Sequence, residues 1–353
     1  MAAAMRLLVT GACGFVGSTL CREVRAARPD IEVTGLDNFR REGSRSNVEP
    51  LRRLGVAVTE GDIRDPGDLD ALPAADWVLD CAAEPSVLAG VSGSVSSFDV
   101  MDHNLIGTIR MLEYCKRHGA GFILMSTSRV YSIAPLAALA VEVVDGAYRP
   151  TRFRSDLGLT AAGIDERFPT APPASLYGVS KRCSELVALE YAEAFGFPVW
   201  INRCGVLAGA GQFGTAEQGI FSFWVRSWLA GRPLSYIGFD GRGAQVRDCL
   251  HPRDLAPVLL RQLAGSSPAA AGDGLDPRIC NFSGGAANAM SLAQLSRWCT
   301  ERIGPGHVGA VPRTRPFDLP WVVLDCGRAG RLWDWRPATA IDAILDEIRV
   351  AAT

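Results

Sequence analysis

Residues 5–17 read Met-Arg-Leu-Leu-Val-Thr-Gly-Ala-Cys-Gly-Phe-Val-Gly, a short apolar run that leads into three glycines spaced three residues apart. A helical pattern continues from there to Ala27. Glycines between a strand and a helix let the backbone turn tightly and approach a pyrophosphate, whose charge then sits at the helix amino terminus. The stretch therefore predicts a dinucleotide-binding strand–turn–helix unit. Its expected cofactor contacts are Gly11, Gly14, Phe15, Val16 and Gly17.

The next apolar run, residues 31–36, predicts a second strand that ends at Asp37. An acid about 20 residues after the glycine turn is placed to accept hydrogen bonds from the adenosine ribose hydroxyls. The same carboxylate would repel a 2′-phosphate, so the sequence favours NAD over NADP. Arg40 and Arg41 leave NADP open, because either guanidinium tolerates a phosphate.

Further strands are predicted at residues 56–59, 77–83, 121–125 and 199–203, with helical patterns between them. This alternation predicts an α/β fold with a doubly wound parallel sheet, which binds its ligands at the carboxyl ends of the strands. Asp62, after the third strand, suits the amino group of an adenine. The other expected cofactor contacts are Asn38, Arg41, Ile63, Ala82, Ala83, Asn104, Ser126 and Cys204.

The segment Ser175-Leu-Tyr-Gly-Val-Ser-Lys181 places a phenol and an ammonium four residues apart, before a helix predicted over residues 181–195. Residues at i and i+4 share a helical face. Lowering a tyrosine pKa from ~10 by ~3 units takes ~4 kcal/mol, within reach of a close cation. Lys116 and Lys181 are the only lysines among 36 basic residues. We therefore favour a catalytic Tyr177–Lys181 pair, and the alternative is a half-buried tyrosine under a solvated lysine.

At 353 residues the chain can hold two cores. Residues 1–203 are predicted to form the dinucleotide-binding domain, and the proline-containing connection 132–174 is expected to be a lid-like insertion in it. Residues 204–353 are predicted to form a smaller α/β substrate-binding domain. Within that domain, segment 244–265 is expected to pack back on the first domain.

Composition excludes several other kinds of protein. The net charge of −2 gives no sign of a nucleic-acid partner, and the apolar runs are too short to span a bilayer. The amino terminus lacks a secretory signal pattern, and ten singly scattered cysteines suit a reducing cytoplasm. Four isolated histidines predict no metal site.

The motifs together resemble the extended short-chain dehydrogenase/reductase superfamily over nearly the whole chain. Within it the chain is most similar to nucleotide-sugar epimerases of the CDP-tyvelose (CDP-paratose) 2-epimerase type. The matching residues are 37–43 (Asp-Asn-Phe-Arg-Arg-Glu-Gly), 80–87 (Asp-Cys-Ala-Ala-Glu-Pro-Ser-Val), 126–131 (Ser-Thr-Ser-Arg-Val-Tyr), Glu142, Thr151, Arg152, 163–166, 212–219, 243–251 and 332–337.

The resemblance implies a tightly held NAD that is reduced and reoxidised within one turnover. It implies that Tyr177 is the base, that Lys181 lowers the pKa of Tyr177 and holds the nicotinamide ribose, and that Thr127 binds the reacting hydroxyl. It also implies a CDP- or UDP-hexose substrate and a homodimer. Expected substrate contacts are Pro85, Ser86, Val87, Thr127, Ser128, Arg129, Arg203, Gln212, Gln218 and Arg247, with Arg247 on the diphosphate.

Inversion at C2 of the hexose is the favoured reaction, and inversion at C4 is the principal alternative. Val206 stands about where many 4-epimerases keep an asparagine, and Glu84 stands where relatives tend to carry asparagine. Dehydration or decarboxylation is less supported, since Ser128 and Arg129 stand where those enzymes carry an acid. A non-catalytic NAD-binding sensor is disfavoured because the chain keeps both Tyr177 and Lys181.

Overall fold

The computed structural model describes residues 4–92, 95–215, 218–265, 272–313 and 315–352. The α-helices are α1 (Phe15–Ala27), α2 (Val48–Arg53), α3 (Pro66–Asp70), α4 (Ser97–Met101), α5 (Gly107–His118), α6 (Ile133–Ala137), α7 (Ser175–Phe195), α8 (Ile220–Leu229), α9 (Ala256–Leu263), α10 (Leu292–Arg302), α11 (Gly327–Trp333) and α12 (Ile341–Ala352). The strands are β1 (Arg6–Thr10), β2 (Glu32–Asp37), β3 (Ala57–Glu60), β4 (Trp77–Asp80), β5 (Gly121–Thr127), β6 (Val141–Val144), β7 (Ala147–Pro150), β8 (Leu159–Thr160), β9 (Gly163–Ile164), β10 (Val199–Cys204), β11 (Val206–Leu207), β12 (Leu234–Ile237), β13 (Val246–Leu250), β14 (Ile279–Phe282), β15 (Ala289–Ser291), β16 (Val308–Val311) and β17 (Trp321–Val322).

The principal sheet has seven parallel strands in the order β14-β10-β5-β4-β1-β2-β3. Val9 of β1 lies opposite Gly35 of β2 and Leu79 of β4, so the two neighbours flank the first strand in register. This order confirms the predicted doubly wound sheet, in which the chain reverses direction beside β1. Strand β14 is an edge strand of this same sheet.

The central strands are buried on both faces, as expected when helices cover a parallel sheet. Val9, Val78 and Ile123 are fully buried, and α1 adds Leu20 and Val24. Each such side chain contributes about 1.5–3 kcal/mol when fully removed from water. This core fixes the strand ends from which the predicted site residues project.

Two helical boundaries differ from the sequence prediction. Helix α7 begins at Ser175 instead of Lys181. The glycine at position 178 costs only about 1 kcal/mol in a helix, and tertiary packing overrides that propensity. The helical pattern before His118 is interrupted by a π-helical turn at Asp102–Ile106, a feature that often marks functional sites.

The described residues form two compact units, the first from Met1–Thr127, Leu176–Arg203 and Leu255–Cys280. The second unit consists of Ser128–Ser175, Cys204–Asp254 and Asn281–Thr353. The insertion 132–174, predicted within the first domain, is thus part of the second unit. The Ile164 amide donates to the Val323 carbonyl at 2.8 Å, and the Tyr148 amide donates to the Ala244 carbonyl at 2.8 Å. Segment 244–265 was predicted to pack back on the first domain. Only its part from Leu255 onward clusters with the first unit.

The second unit has its own core around α8. Phe221, Trp224 and Trp228 are buried there together with Ile344 and Leu345 of α12. These three aromatic residues of α8 are therefore core residues. Across the described ranges, no helix has the length and apolar character needed to cross a membrane.

Candidate functional site

The glycine turn between β1 and α1 has the shape of a phosphate-binding loop. Gly11 has φ +61°, and a Cβ at Gly17 would lie 2.3 Å from the Gly11 carbonyl oxygen, so neither position suits a side chain. Gly14 caps α1 without a side-chain hydrogen bond, and no acid lies in the first turn. The amide hydrogens at this helix end can therefore meet a pyrophosphate, and the loop fits NAD.

Asp37 lies at the carboxyl end of β2, buried beside this loop. Its carboxylate accepts hydrogen bonds from the Cys13 amide and from the Phe39 amide, each at 2.8 Å. Burial raises the pKa of Asp37 from its ordinary value, and these amides oppose that rise. A carboxylate has about four lone-pair sites, so capacity remains for ribose hydroxyls.

We expect Asp37→Asn to weaken NAD retention roughly 10-fold or more, because hydrogen bonds to a charged group contribute about 1.5–3 kcal/mol each. Equilibrium dialysis of the protein against NAD measures the change. Asp30→Asn is the matched control, since Asp30 precedes the same strand but its carboxylate pairs with Arg28 on the surface. Equal NAD affinity in the two variants would contradict the ribose assignment.

The end of β3 carries a compact polar cluster around Asp62. Arg64 donates to both Asp62 oxygens, at 3.0 and 2.8 Å, and Asn38 donates to one of them at 2.9 Å. Burial alone would raise the pKa of Asp62, but these hydrogen bonds hold it well below its ordinary value. The carboxylate therefore stays ionised and oriented next to buried Ile63, as an adenine contact requires.

The two arginines that left NADP open lie on the surface after β2. The Arg40 guanidinium contacts Nε2 of His103, in the π-helical turn, at 2.7 Å. Arg41 is exposed. Arg40 is thus engaged within the protein, while Asp37 remains at the end of the strand.

The predicted catalytic residues are all buried. Tyr177 and Lys181 both belong to α7, one turn apart on the same helical face, and Thr127 is the last residue of β5. Only 1% of Lys181 is exposed. An ammonium group is rarely buried to this extent without a specific role, since desolvation of a charge is costly.

Asn104 connects the residues after β4 to α7. Its side-chain oxygen accepts from the Glu84 amide at 2.7 Å, and its nitrogen donates to the Glu84 carbonyl and to Ser180 Oγ, both at 3.0 Å. Both amide hydrogens are used within the protein. These bonds tie Glu84, which directly precedes Pro85, Ser86 and Val87, to α7, and the cofactor contact of Asn104 stays a prediction.

That segment and the small residues before it are open to ligands in part. Ala83 is exposed, while Ala82 and residues 85–87 are half-buried. The Ala82 amide donates to Thr10 Oγ1 at 3.2 Å, and Thr10 in turn donates to the buried Asp80 at 2.6 Å. These bonds hold the end of β4 beside the glycine turn.

Glu185, which the sequence did not single out, is the centre of a buried ion-pair network. Arg203 donates to both of its oxygens, at 3.0 and 2.7 Å, and Arg182 donates at 2.9 Å. Ser126 Oγ donates to it at 2.5 Å. The substrate contact predicted for Arg203 and the cofactor contact predicted for Ser126 thus fall on side chains engaged by Glu185. Glu185 follows Lys181 by four residues, and this spacing was the sequence signal that could have identified it.

Several predicted substrate residues belong to the second unit. Arg247, 13% exposed, donates to Asp318 at 3.0 Å and to the carbonyl oxygens of Val246 and Leu319. Gln212 is buried, accepting from Ser222 at 2.6 Å and donating to the Leu207 carbonyl at 2.8 Å. The remaining predicted substrate residues of this unit, Ser128, Arg129 and Gln218, are half-buried, and residues 216–217 of the matching loop lie outside the described residues. Cys204, which was predicted as a cofactor contact, is buried in the same unit.

The described part of the chain contains no group of three or more histidine, cysteine or acidic side chains arranged to hold a metal ion.

Comparison with known proteins gives consistent matches over most of the chain. Residues 7–272 match the NAD dependent epimerase/dehydratase family. A CDP-paratose 2-epimerase of Salmonella typhi is 28% identical over 346 residues, which cover 94% of this chain and 95% of that protein. A dTDP-glucose 4,6-dehydratase of Actinoplanes is 31% identical over 258 residues, which cover 71% of this chain and 70% of that protein.

Among solved structures, the UDP-glucose 4-epimerase of Thermus thermophilus in complex with NAD superimposes with a TM-score of 0.72. The two chains are 26% identical, and the superposition covers 98% of this chain and 99% of that one. These relatives carry out different reactions on different nucleotide sugars, so the comparison defines a family and leaves the reaction to the site residues.

Proposed function

Because this chain belongs to the NAD dependent epimerase/dehydratase family, we propose that it inverts one carbon of a nucleotide-diphosphate hexose, with C2 favoured. The observation that carries the proposal is the fully buried lysine one turn after a buried tyrosine on α7, beside a strand that ends in Thr127. Tyr177 supplies a base, Lys181 a cation and Thr127 a hydroxyl.

The residues of this chain have separate roles in the proposed reaction. Tyr177 takes the proton of the reacting sugar hydroxyl and later returns it, while Lys181 favours the phenolate by its charge. Thr127 orients that hydroxyl by a hydrogen bond. When bound, NAD would supply the hydride acceptor for the first half of the reaction and the hydride donor for the second. The glycine turn, Asp37 and Asp62 hold its pyrophosphate, ribose and adenine.

Inversion requires that the oxidised sugar rotate within the site before it is reduced again. Oxidation and reduction then balance within one turnover, so the cofactor is expected to stay bound and to need no external reductant. The 28% identity to a CDP-paratose 2-epimerase over nearly the full length of both proteins supports C2 and a CDP-sugar. Inversion at C4 of a UDP-sugar is the second candidate, supported by the Thermus structure.

Dehydration is supported by the Actinoplanes relative, but the residues after Thr127 weigh against it. Ser128 and Arg129 follow Thr127 in a short 3-10 helix, and neither side chain is an acid. Elimination of water from a sugar needs a group that removes a second proton. We therefore place epimerisation ahead of dehydration for this chain.

We expect Arg247→Met to raise the KM for the nucleotide sugar about 100-fold with little change in kcat, because an arginine–phosphate contact acts mainly in binding. Initial rates over a range of substrate concentrations measure the two constants. Arg242→Met is the control, since Arg242 precedes the same strand and is exposed. A normal KM in the Arg247 variant would remove Arg247 from the substrate site.

The proposal is tested by denaturing the purified protein and identifying the small molecules released by mass spectrometry. Stoichiometric NAD is the expected result, and a co-released nucleotide sugar would identify the base. A protein that releases neither would be one that exchanges its cofactor in each turnover, contrary to the proposed recycling.

We also propose a cytoplasmic homodimer, on the strength of the scattered cysteines and the family resemblance. Light scattering of the purified protein measures its mass in solution. A mass near that of one 37.7 kDa chain would contradict the dimer.

A further inference from the structure

We propose that Glu185 is a positioning residue, which holds the strand bearing Thr127 and the helix bearing Tyr177 and Lys181 in the arrangement that the reaction needs. The inference rests on the proposed function only in taking those three residues as the catalytic group. Glu185 itself is 0% exposed, so its role is exerted through the protein and not by contact with solvent.

Helix α7 carries Glu185 together with both catalytic side chains that it positions. Tyr177, Lys181 and Glu185 follow one another at intervals of four residues, so they form one continuous ridge on a helical face. Glu185 lies about 6 Å along the helix axis from Lys181. Contacts that hold Glu185 in place therefore restrain the rotation of α7 about its axis. They thereby set the direction in which the Tyr177 and Lys181 side chains point.

Glu185 binds side chains at the ends of two strands of the principal sheet. Ser126, which donates to one oxygen at 2.5 Å, directly precedes Thr127 at the end of β5. Arg203, which donates to both oxygens, lies at the end of β10, the strand next to β5. One carboxylate thus connects the ends of two adjacent strands to the helix.

The charges favour the same conclusion. Burial alone would raise the pKa of Glu185, but the Arg203 charge and its hydrogen bonds lower it, so the carboxylate stays ionised. Glu185 also forms ion pairs with Arg203 and Arg182, so it offsets part of the charge of each. Structural carboxylates elsewhere on α7 differ: Glu193 pairs with Arg278 but its side chain is 70% exposed.

The test is the ionisation of the Tyr177 phenol, followed by the phenolate absorption of the holoprotein as pH rises. Subtracting the same titration of a Tyr177→Phe version isolates this phenol from the five other tyrosines of the chain. In Glu185→Gln we expect the midpoint to move up by about one pH unit or more, because a displaced Lys181 stabilises the phenolate less. Turnover per bound NAD should fall roughly 100-fold, the effect of a displacement of about 1 Å.

Glu193→Gln is the matched control, with the same substitution on the same helix at an exposed ion pair, and should leave both quantities unchanged. Ser126→Ala removes one donor and keeps the arginine pairs, so it should fold and show a smaller shift in the same direction. This variant also covers the case in which Glu185→Gln fails to fold.

Wild-type titration midpoints in both Glu185→Gln and Ser126→Ala would overturn the proposal. A downward shift in Glu185→Gln would do so too, since it would mean that the carboxylate acts only as a negative charge. The titration needs no substrate, so it decides the role of Glu185 even if the wild-type protein inverts no nucleotide sugar, an outcome that would reject the proposed function separately.

Discussion

Tyr177→Phe is expected to lower turnover roughly 1000-fold while the protein keeps its NAD. The substitution removes one hydroxyl and leaves the buried ring, so packing on α7 is preserved. General acid–base catalysis by a positioned side chain contributes about 10²–10⁴-fold, and this hydroxyl would carry the proton in both halves of the reaction. Turnover per bound NAD, measured with the substrate of the wild-type protein, gives the loss.

Tyr191→Phe is the matched control for this variant. Tyr191 lies on the same helix, and its hydroxyl donates to Glu113 at 2.8 Å near the surface. Wild-type turnover is expected in the control. Full activity in Tyr177→Phe would remove Tyr177 as the base and leave the buried lysine without its proposed partner.

Lys181→Met is expected to lower turnover by about 100-fold or more and to move the acid limb of the pH–rate profile upward. Methionine fills much of the same volume but carries no charge, so the phenol of Tyr177 loses the cation that favours its ionised form. One opposite charge within reach lowers a pKa by about 1–3 units, and the loss is expected to be largest below neutral pH.

The chain offers one natural control, because Lys116 is its only other lysine. That side chain is 42% exposed on α5 and contacts Glu113 and the ring of Phe195. Lys116→Met should leave turnover and the pH–rate profile unchanged. If both lysine variants had the same profile as the wild type, the charge of Lys181 would have no part in the reaction.

The fold was predictable because its signals are local. The glycine turn, the acid after β2 and the alternating strands each depend on neighbouring residues, and together they define a doubly wound sheet. The grouping of residues 128–175 with the second unit depends instead on pairing such as Ile164 with Val323, which are far apart in sequence. No local pattern carries that information.

The candidate site was likewise predictable only where its sequence signals are local. Spacing along one helix indicated Tyr177 and Lys181, and both proved to be buried on α7. Spacing did not show where an arginine points: Arg203, predicted as a substrate contact, donates to both oxygens of Glu185. Glu185 is 18 residues away on another element, so this pairing was visible only once the elements were packed together.

The central claim is most directly tested by proton NMR of CDP- and UDP-hexoses incubated with the purified protein and no added cofactor. The account predicts an isomer of one substrate, with altered coupling between the protons on C1 and C2 of the hexose. Altered coupling at C4 would select the alternative epimerase. A methyl signal from a 6-deoxy-keto sugar, or no change in any substrate from a protein that carries bound NAD, would contradict the account.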